Sequence, residues 1–152
     1  MAPSKPTLDA AGTIKVPDLH DADLLGVLNF DSKKTVRVTK LRSGEIRCLR
    51  LLEVEYLNAS DFKEGNVILD GTVDSGPEAD CEQAFKDLEM ADQIGSDFYL
   101  RTAERIGRRE LQILTINPSY GCVLCALCKE IEHLDEGFDY WDGTNGKSQP
   151  NR

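Results

Sequence analysis

Cys122, Cys125 and Cys128 are the residues of this chain whose type and spacing come nearest to chemistry. A C-x-x-C-x-x-C run can present three thiolates to an iron–sulfur cluster. Several features count against that use here. A cluster wants a fourth ligand, and Lys129 stands where a Cys-Pro would ordinarily follow. The spacers Val123-Leu124 and Ala126-Leu127 hold no glycine, whereas a cluster loop needs tight, irregular backbone to turn successive sulfurs inward. On a strand, Cys122 and Cys128 share one face and Cys125 takes the other, so the three sulfurs cannot converge. A helix would gather them, but the Val, Leu and Cys succession after a Tyr-Gly turn favours a strand. Free cysteine is among the most buried residue types. The run therefore reads as a core strand ahead of a metal or redox site. Cys48, Cys81 or His133 could complete a zinc site with it, but zinc ligands typically come as close pairs on knuckles. Cys48 falls mid-strand and Cys81 on an apolar helical stripe, where core residues go.

His20, Asp21 and Asp23 form the second constellation. One imidazole with two carboxylates could hold a divalent ion or exchange protons. A turn after Pro17, with Asp21 capping a backbone amide, explains the same residues. With His20 and His133 the only histidines, a three-histidine site is impossible. There is no G-x-S-x-G elbow, no G-x-x-x-x-G-K-[ST] and no G-x-G-x-x-G, so neither a nucleophile elbow nor a glycine phosphate cradle is available. Arg101, Arg105, Arg108 and Arg109 make a local basic patch, which in an acidic protein reads as a solvated or salt-bridged face rather than an anion site. The sequence thus assigns no catalytic residue and no cofactor. Cys122, Cys125, Cys128, His20, Asp21 and Asp23 remain as candidate ligands.

The elements that would position these residues follow mostly a period of two. Leu24, Leu25, Val27, Leu28 and Phe30 suggest a first strand. Lys34 to Leu41 and Glu45 to Leu52 flank the Ser43-Gly44 turn and predict a hairpin. In it Val36 and Val38 stand opposite in sense to Thr35, Arg37 and Thr39, and Ile46 and Cys48 to Arg47 and Leu49. Val54 to Leu57 extends the second strand past a bulge. Asn66 to Val73 is the next strand. From Glu78 the period changes: Cys81, Ala84, Phe85, Leu88 and Ala91 form one stripe of an amphipathic helix. Phe98 to Ile106 fits either a short helix or an irregular strand. Glu110 to Ile116 alternates as a strand, Pro118 to Gly121 turns, and Cys122 to Ile131 is a strand that begins apolar and ends polar.

The ends read differently. Residues 1–17 hold Pro3, Pro6, Gly12 and Pro17 and few large apolar side chains, which predicts a flexible arm. Residues 135–152 read as a loosely ordered acidic and polar tail, whose Phe138, Tyr140 and Trp141 are expected to dock back on the domain. Residues 18–134 form a single β-rich domain.

A length of 152 residues and an apolar fraction of 40% suit one domain with its own core. The net charge of −9 repels phosphate backbones and anionic lipids, which argues against nucleic acid and membrane partners and leaves a basic protein partner open. No apolar leader and no long apolar window are present, and the five cysteines are odd in number. These features predict a cytoplasmic protein with free thiols. The oligomeric state is left open.

LHDADLLGVLNFD, Leu19 to Asp31, followed by the hairpin and by ASDFKEGNVILD, Ala59 to Asp70, resembles a group of small, largely uncharacterised bacterial β-rich proteins with an LHDA…G opening. The final hairpin ELQILTINPSYGCVLCALCKEIE is similar to the terminal strands of small immunity-like proteins. The resemblance implies a sheet-based binding protein of the kind that neutralises a toxin, and it supplies no catalytic residue.

The expected fold is therefore α+β and β-dominated: an antiparallel sheet, small β-sandwich or open barrel, with one or two helices inserted before the last two strands. The expected function is non-enzymatic binding, as an immunity or accessory protein that engages a more basic protein partner. The alternative is a metal or redox protein built on Cys122, Cys125 and Cys128.

Overall fold

A computed structural model describes residues 4–31, 34–40, 45–63 and 65–134. The aromatic residues Phe138, Tyr140 and Trp141, and the rest of the expected tail, lie outside the described residues.

The period-two stretches form strands. They are β1 (Thr7–Leu8), β2 (Ile14–Val16), β3 (Asp23–Asp31), β4 (Lys34–Lys40), β5 (Ile46–Leu52), β6 (Tyr56–Ser60), β7 (Asn66–Asp74), β8 (Gln112–Tyr120), β9 (Val123–Cys128) and β10 (Glu130–Leu134). Helices α1 (Cys81–Asp87) and α2 (Asp97–Gly107), with a 3-10 turn at Ala91–Gln93, precede the last three strands. The eight longer strands make one antiparallel sheet in the order β10-β5-β4-β3-β7-β8-β9-β6. The fold is thus the expected β-dominated α+β arrangement.

The order explains how the sheet curls. β9 and β10 are separated by one residue, Lys129, and β5 and β6 by three, yet each pair sits at opposite ends of the order. Each is one long strand that bends and crosses to the other side of the molecule, which is how corners are made in orthogonally packed sheets. The bends face each other: the Lys129 amide donates to the Leu52 carbonyl at 3.0 Å, and the Glu55 amide to the Leu127 carbonyl at 2.9 Å. One leaf then holds β3, β4, β5 and β10, the other β7, β8, β9 and β6. The leaves are also joined where β3 meets β7, through Asp23↔Val67 and Leu24↔Asn66. The result is an open barrel.

Its interior is apolar and draws on both leaves. Leu24, Leu49, Leu51 and Ile131 meet Ile68, Leu114, Ile116, Leu124, Ala126 and Cys128 there. A second cluster lies outside the sheet, where Ala84, Leu88 and Ile106 from the helical region cover Ile113, Cys125 and Leu127. Phe85, fully buried, anchors this layer by edge-on contacts with Phe98 and Tyr99 at 5.9 and 4.8 Å between ring centroids. Such pairs add to plain burial because ring edges carry positive charge and faces negative.

Several sequence expectations are corrected. The segment before Asp18, expected as a flexible arm, carries β1 and β2 and places Ile14 in the interior at 4% exposure. Asp9 shapes its turn by accepting from the Ala11 and Thr13 amides, both at 2.9 Å. Isolated bridges, Ser4↔His133 and Thr13↔Thr72, tie the segment to β10 and β7. Few large apolar residues were needed because one isoleucine and backbone pairing suffice. The helical stripe stops early: α1 ends at Asp87, Glu89 turns at φ 61, and Ala91 begins the 3-10 turn. Phe98 to Ile106 is helical, capped by Ser96, whose hydroxyl accepts from the Tyr99 amide at 3.1 Å. β8 runs on through Tyr120, so the turn reduces to Gly121 and Cys122. The strand expected from Cys122 to Ile131 is two strands serving different leaves, and Val54 to Leu57 likewise leads into β6 beside β9. Within the hairpin, Leu49 and Leu51 belong to the interior cluster, so Ile46 and Cys48 occupy the outer face.

Candidate functional site

The cysteine run lies on β9, whose pairing with β8 and β6 fixes its alternation. Leu124, Ala126 and Cys128, with Cys122 just before the strand, belong to the interior cluster, and Cys125 and Leu127 to the helix-covered one. Cys125 is fully buried, with its Sγ 3.8 Å from the Ala84 carbonyl. Burial pushes its thiol up to about 12, helped by the Asp87 carboxylate and opposed by a hydrogen bond from Thr115. Burial alone pushes the Cys128 thiol up to about 12. Thiolates are the metal-binding and nucleophilic form, so both positions are poorly suited to either role. Among the described residues, no three His, Cys, Asp or Glu side chains gather as a ligand set.

His20, Asp21 and Asp23 are not brought together as a unit. His20 is exposed; its Nδ1 lies 3.1 Å from the Leu69 carbonyl, and its Nε2 3.7 Å from Asp21 Oδ2. Asp23 opens β3 and lines a separate recess with Leu25 and Phe62. The turn is there, but Asp18 holds it: Asp18 Oδ1 accepts from the His20 amide at 3.2 Å. Asp21 takes a left-handed φ of 61.

Two of the four arginines of the patch, Arg105 and Arg108, pair with carboxylates. Arg105 makes a two-pronged contact with Glu55 at 2.9 and 2.7 Å, pinning α2 to the β5–β6 bend. That hydrogen-bonded carboxylate raises the Arg105 pKa further. Arg108 bridges Glu104 and Glu110. Arg109 lies against Gly76 and donates to the Ser75 carbonyl at 3.3 Å.

What the structure does assemble is an acidic groove that sequence reasoning missed. On the outer face of the second leaf, the register pairs Asp70 with Asn117, Thr72 with Thr115 and Asp74 with Ile113. The helices cover β8 and β9 but leave the β7 side open. Asp80 and Asp87 on the α1 side face Asp74, Thr72, Thr115 and Asn117 across a cleft. Its walls are held by hydrogen bonds. Asp80 Oδ1 accepts from the Gln83 amide at 3.0 Å as the cap of α1, and Gln83 Nε2 donates to Asp87 Oδ1 at 2.9 Å. Asn117 Nδ2 donates to Asp70 Oδ1 at 2.8 Å. Asp74 Oδ2 accepts from the Asp80 amide at 3.4 Å. The field of this cluster reaches Cys81, whose thiol is raised by burial and then by Asp74 and Asp80. The signal for the groove was the polar alternation Asp70-x-Thr72-x-Asp74 along β7. It becomes a site only once β8 and α1 are placed beside it.

The groove holds carboxylates, hydroxyls and two amides but, among the residues lining it, no nucleophile paired with a base. Carboxylates and hydroxyls so placed can accept hydrogen bonds from cationic and other donors. The class defined by fold and site is an open antiparallel barrel carrying an acidic cleft beside its helical cover. Comparison with protein-family models, with curated proteins and with solved structures returned no match. Among the described residues, no helix is long and apolar enough to cross a membrane.

Proposed function

We propose that the chain is a non-enzymatic binding protein that engages a basic segment of a protein partner in the groove between β7, β8 and α1. One observation carries the reading: Asp74, Asp80 and Asp87 all line one cleft, in a chain of net charge −9. Lysine or arginine side chains entering it would meet carboxylates at the walls and the hydroxyls of Thr72 and Thr115 at the floor. Charge complementarity of this kind chiefly raises association rate and specificity. An immunity or accessory role, which neutralises a basic partner by covering it, is the biological form that the resemblance of the strand sequences favours. The cysteine run gives the metal or redox alternative no comparable support, because β9 sends Cys125 away from Cys122 and Cys128.

A lysine-rich peptide titrated into labelled protein tests this reading by amide chemical-shift mapping. Shifts concentrated at Thr72, Asp74, Gln83 and Thr115, weakened by salt and by Asp74→Asn with Asp87→Asn, are expected. Shifts spread evenly over the acidic surface, or shifts indifferent to these substitutions, would sink it.

A further inference from the structure

The eight-stranded sheet ends on β10 at one side and on β6 at the other. A terminal strand carries a row of backbone N–H and C=O groups that can template another chain, and proteins ordinarily blunt such edges with charge, proline, bulges or cover. β10 is blunted twice. Glu130 and Glu132 put charge on it, and Ser4 pairs with His133 through both backbone groups along its free side. β6, Tyr-Leu-Asn-Ala-Ser, carries none of these devices. It holds no charge and no proline, and its five residues pair with β9 without a shift of register. Among the described residues no strand lies against its other edge, and Tyr56 and Ala59 are exposed. The strand is nonetheless held firmly. Asn58 Nδ2 donates to the Asp87 carbonyl at the end of α1 at 3.0 Å, and the Tyr56 ring meets Phe98 edge-on at 5.6 Å between centroids. An edge fixed in this way loses little further freedom when a strand is added to it.

We propose that β6 is a dimerisation edge, which pairs antiparallel with β6 of a second copy of this chain about a twofold axis at Asn58. Addition of a strand to an open sheet edge is a recurrent mode of association, and two features of β6 select its own copy as the strand added. The first is shape. A register centred on Asn58 uses all five residues and sets Tyr56 opposite Ser60 of the second copy and Leu57 opposite its Ala59. Bulky side chains thus meet small ones, and the strand is complementary to itself, as an isologous contact requires. The second is charge. A net charge of −9 otherwise opposes self-association, but this pairing brings no like charges together within β6. At its near flank Glu55 is already bound by Arg105 at 2.7 Å, and at its far flank Asp61 turns out of the strand at φ 59. A single pair of strands is a small interface, so the dimer belongs to the weak, transient class.

Sedimentation of the full chain over a wide range of concentration tests this. The expected result is an average mass that rises with concentration towards twice that of the monomer, with amide exchange at residues 56–60 slowing in parallel. Ala59→Glu and Ala59→Lys, both at an exposed site, each set a charge opposite Leu57 of the second copy and should each weaken association several-fold. Repulsion between acidic surfaces alone would instead let the lysine strengthen it, and that result would overturn the proposal. Asn58→Cys places a thiol on the twofold axis, where paired Cα atoms stand ~4.5–5.5 Å apart and within disulfide reach. Mild oxidation should link position 58 to itself between two chains, mapped by mass spectrometry. A chain that stays monomeric at every concentration would sink the proposal, as would a dimer indifferent to both Ala59 variants. Protection of residues 56–60 that does not depend on concentration would assign the edge to the chain itself and overturn it equally.

Discussion

Cys125 and Cys128 lie three residues apart on one strand and in two different cores, Cys125 beneath α1 and Cys128 inside the barrel. Odd spacing on a strand turns neighbours to opposite faces, and here both faces are buried. The half-buried Cys81 should be alkylated first in the folded protein. Cys122, Cys125 and Cys128 should follow far more slowly and at rates that differ, because different local openings expose them. Equal, rapid labelling of all five thiols, read by mass spectrometry, would contradict this placement.

The same burial makes stability depend on pH at the alkaline end. Cys125 and Cys128 are both raised from 9.0 to about 12 in the fold. Above about pH 9 the unfolded chain loses these thiol protons while the native chain keeps them, so the unfolded state binds fewer protons and stability falls as pH rises. The contribution is intact below pH 9 and declines towards pH 12. Urea unfolding at stepped pH should show this decline, and Cys125→Ala with Cys128→Ala should flatten it. A double variant with the same alkaline slope as the parent would show that other groups set it.

How much of this could be read from residues alone depended on which contacts were local. The β4–β5 hairpin and the strand character of CVLCALC were legible because alternation and a Ser-Gly turn are local signals. The corners were not. Nothing local in Leu52 to Glu55 or at Lys129 says that a strand leaves one leaf for the other; that follows from the facing hydrogen bonds between the two bends. Alternation left the core face of β5 undecided for a related reason, since Ile46 and Cys48 look as apolar as Leu49 and Leu51. The groove forms only when α1, which follows closely, and β8, which comes later, are both set beside β7, so Asp70, Thr72 and Asp74 by themselves said only that one strand edge was polar.

Asn66 is a buried polar residue at 3% exposure, and its partners are spread across the fold. Its Oδ1 accepts from the Lys63 amide at 2.7 Å and the Cys122 amide at 3.0 Å, and its Nδ2 donates to the Lys63 carbonyl. It fastens the entry to β7 to the turn before β9. Asn66→Ala leaves buried amide groups without partners and should cost about 1–3 kcal/mol, measured by denaturant unfolding. Gly121, at φ 92 and against the Asn66 side chain, should tolerate alanine no better.

Ile14 tests whether the N-terminal segment is part of the fold. Its side chain is buried with Leu19, Ile68 and Ile116 in the interior cluster. Truncating a buried isoleucine costs about 2–5 kcal/mol through lost transfer energy and the cavity left behind. Ile14→Ala should therefore lower unfolding free energy by that order, and Val16→Ala, at a site 48% exposed, should do little. Equal and negligible effects of the two substitutions would return residues 4–16 to the status of an arm.

Cys81 offers a reading of the groove that needs no partner. Its thiol is raised first by burial and then by the carboxylates of Asp74 and Asp80. Asp80→Asn removes charge while leaving a side chain that can still cap α1, since asparagine and aspartate serve almost equally at that position. Asp74→Asn with Asp80→Asn should therefore lower the Cys81 pKa without unfolding the helix, leaving the part of the shift due to burial. A lower pKa means more thiolate at mildly alkaline pH and faster alkylation. Salt should speed alkylation in the parent, by screening the same carboxylates, and should matter less in the double variant. A pH profile of Cys81 alkylation that is identical in the two proteins would mean that the aspartates do not generate the field on which the proposed recognition depends.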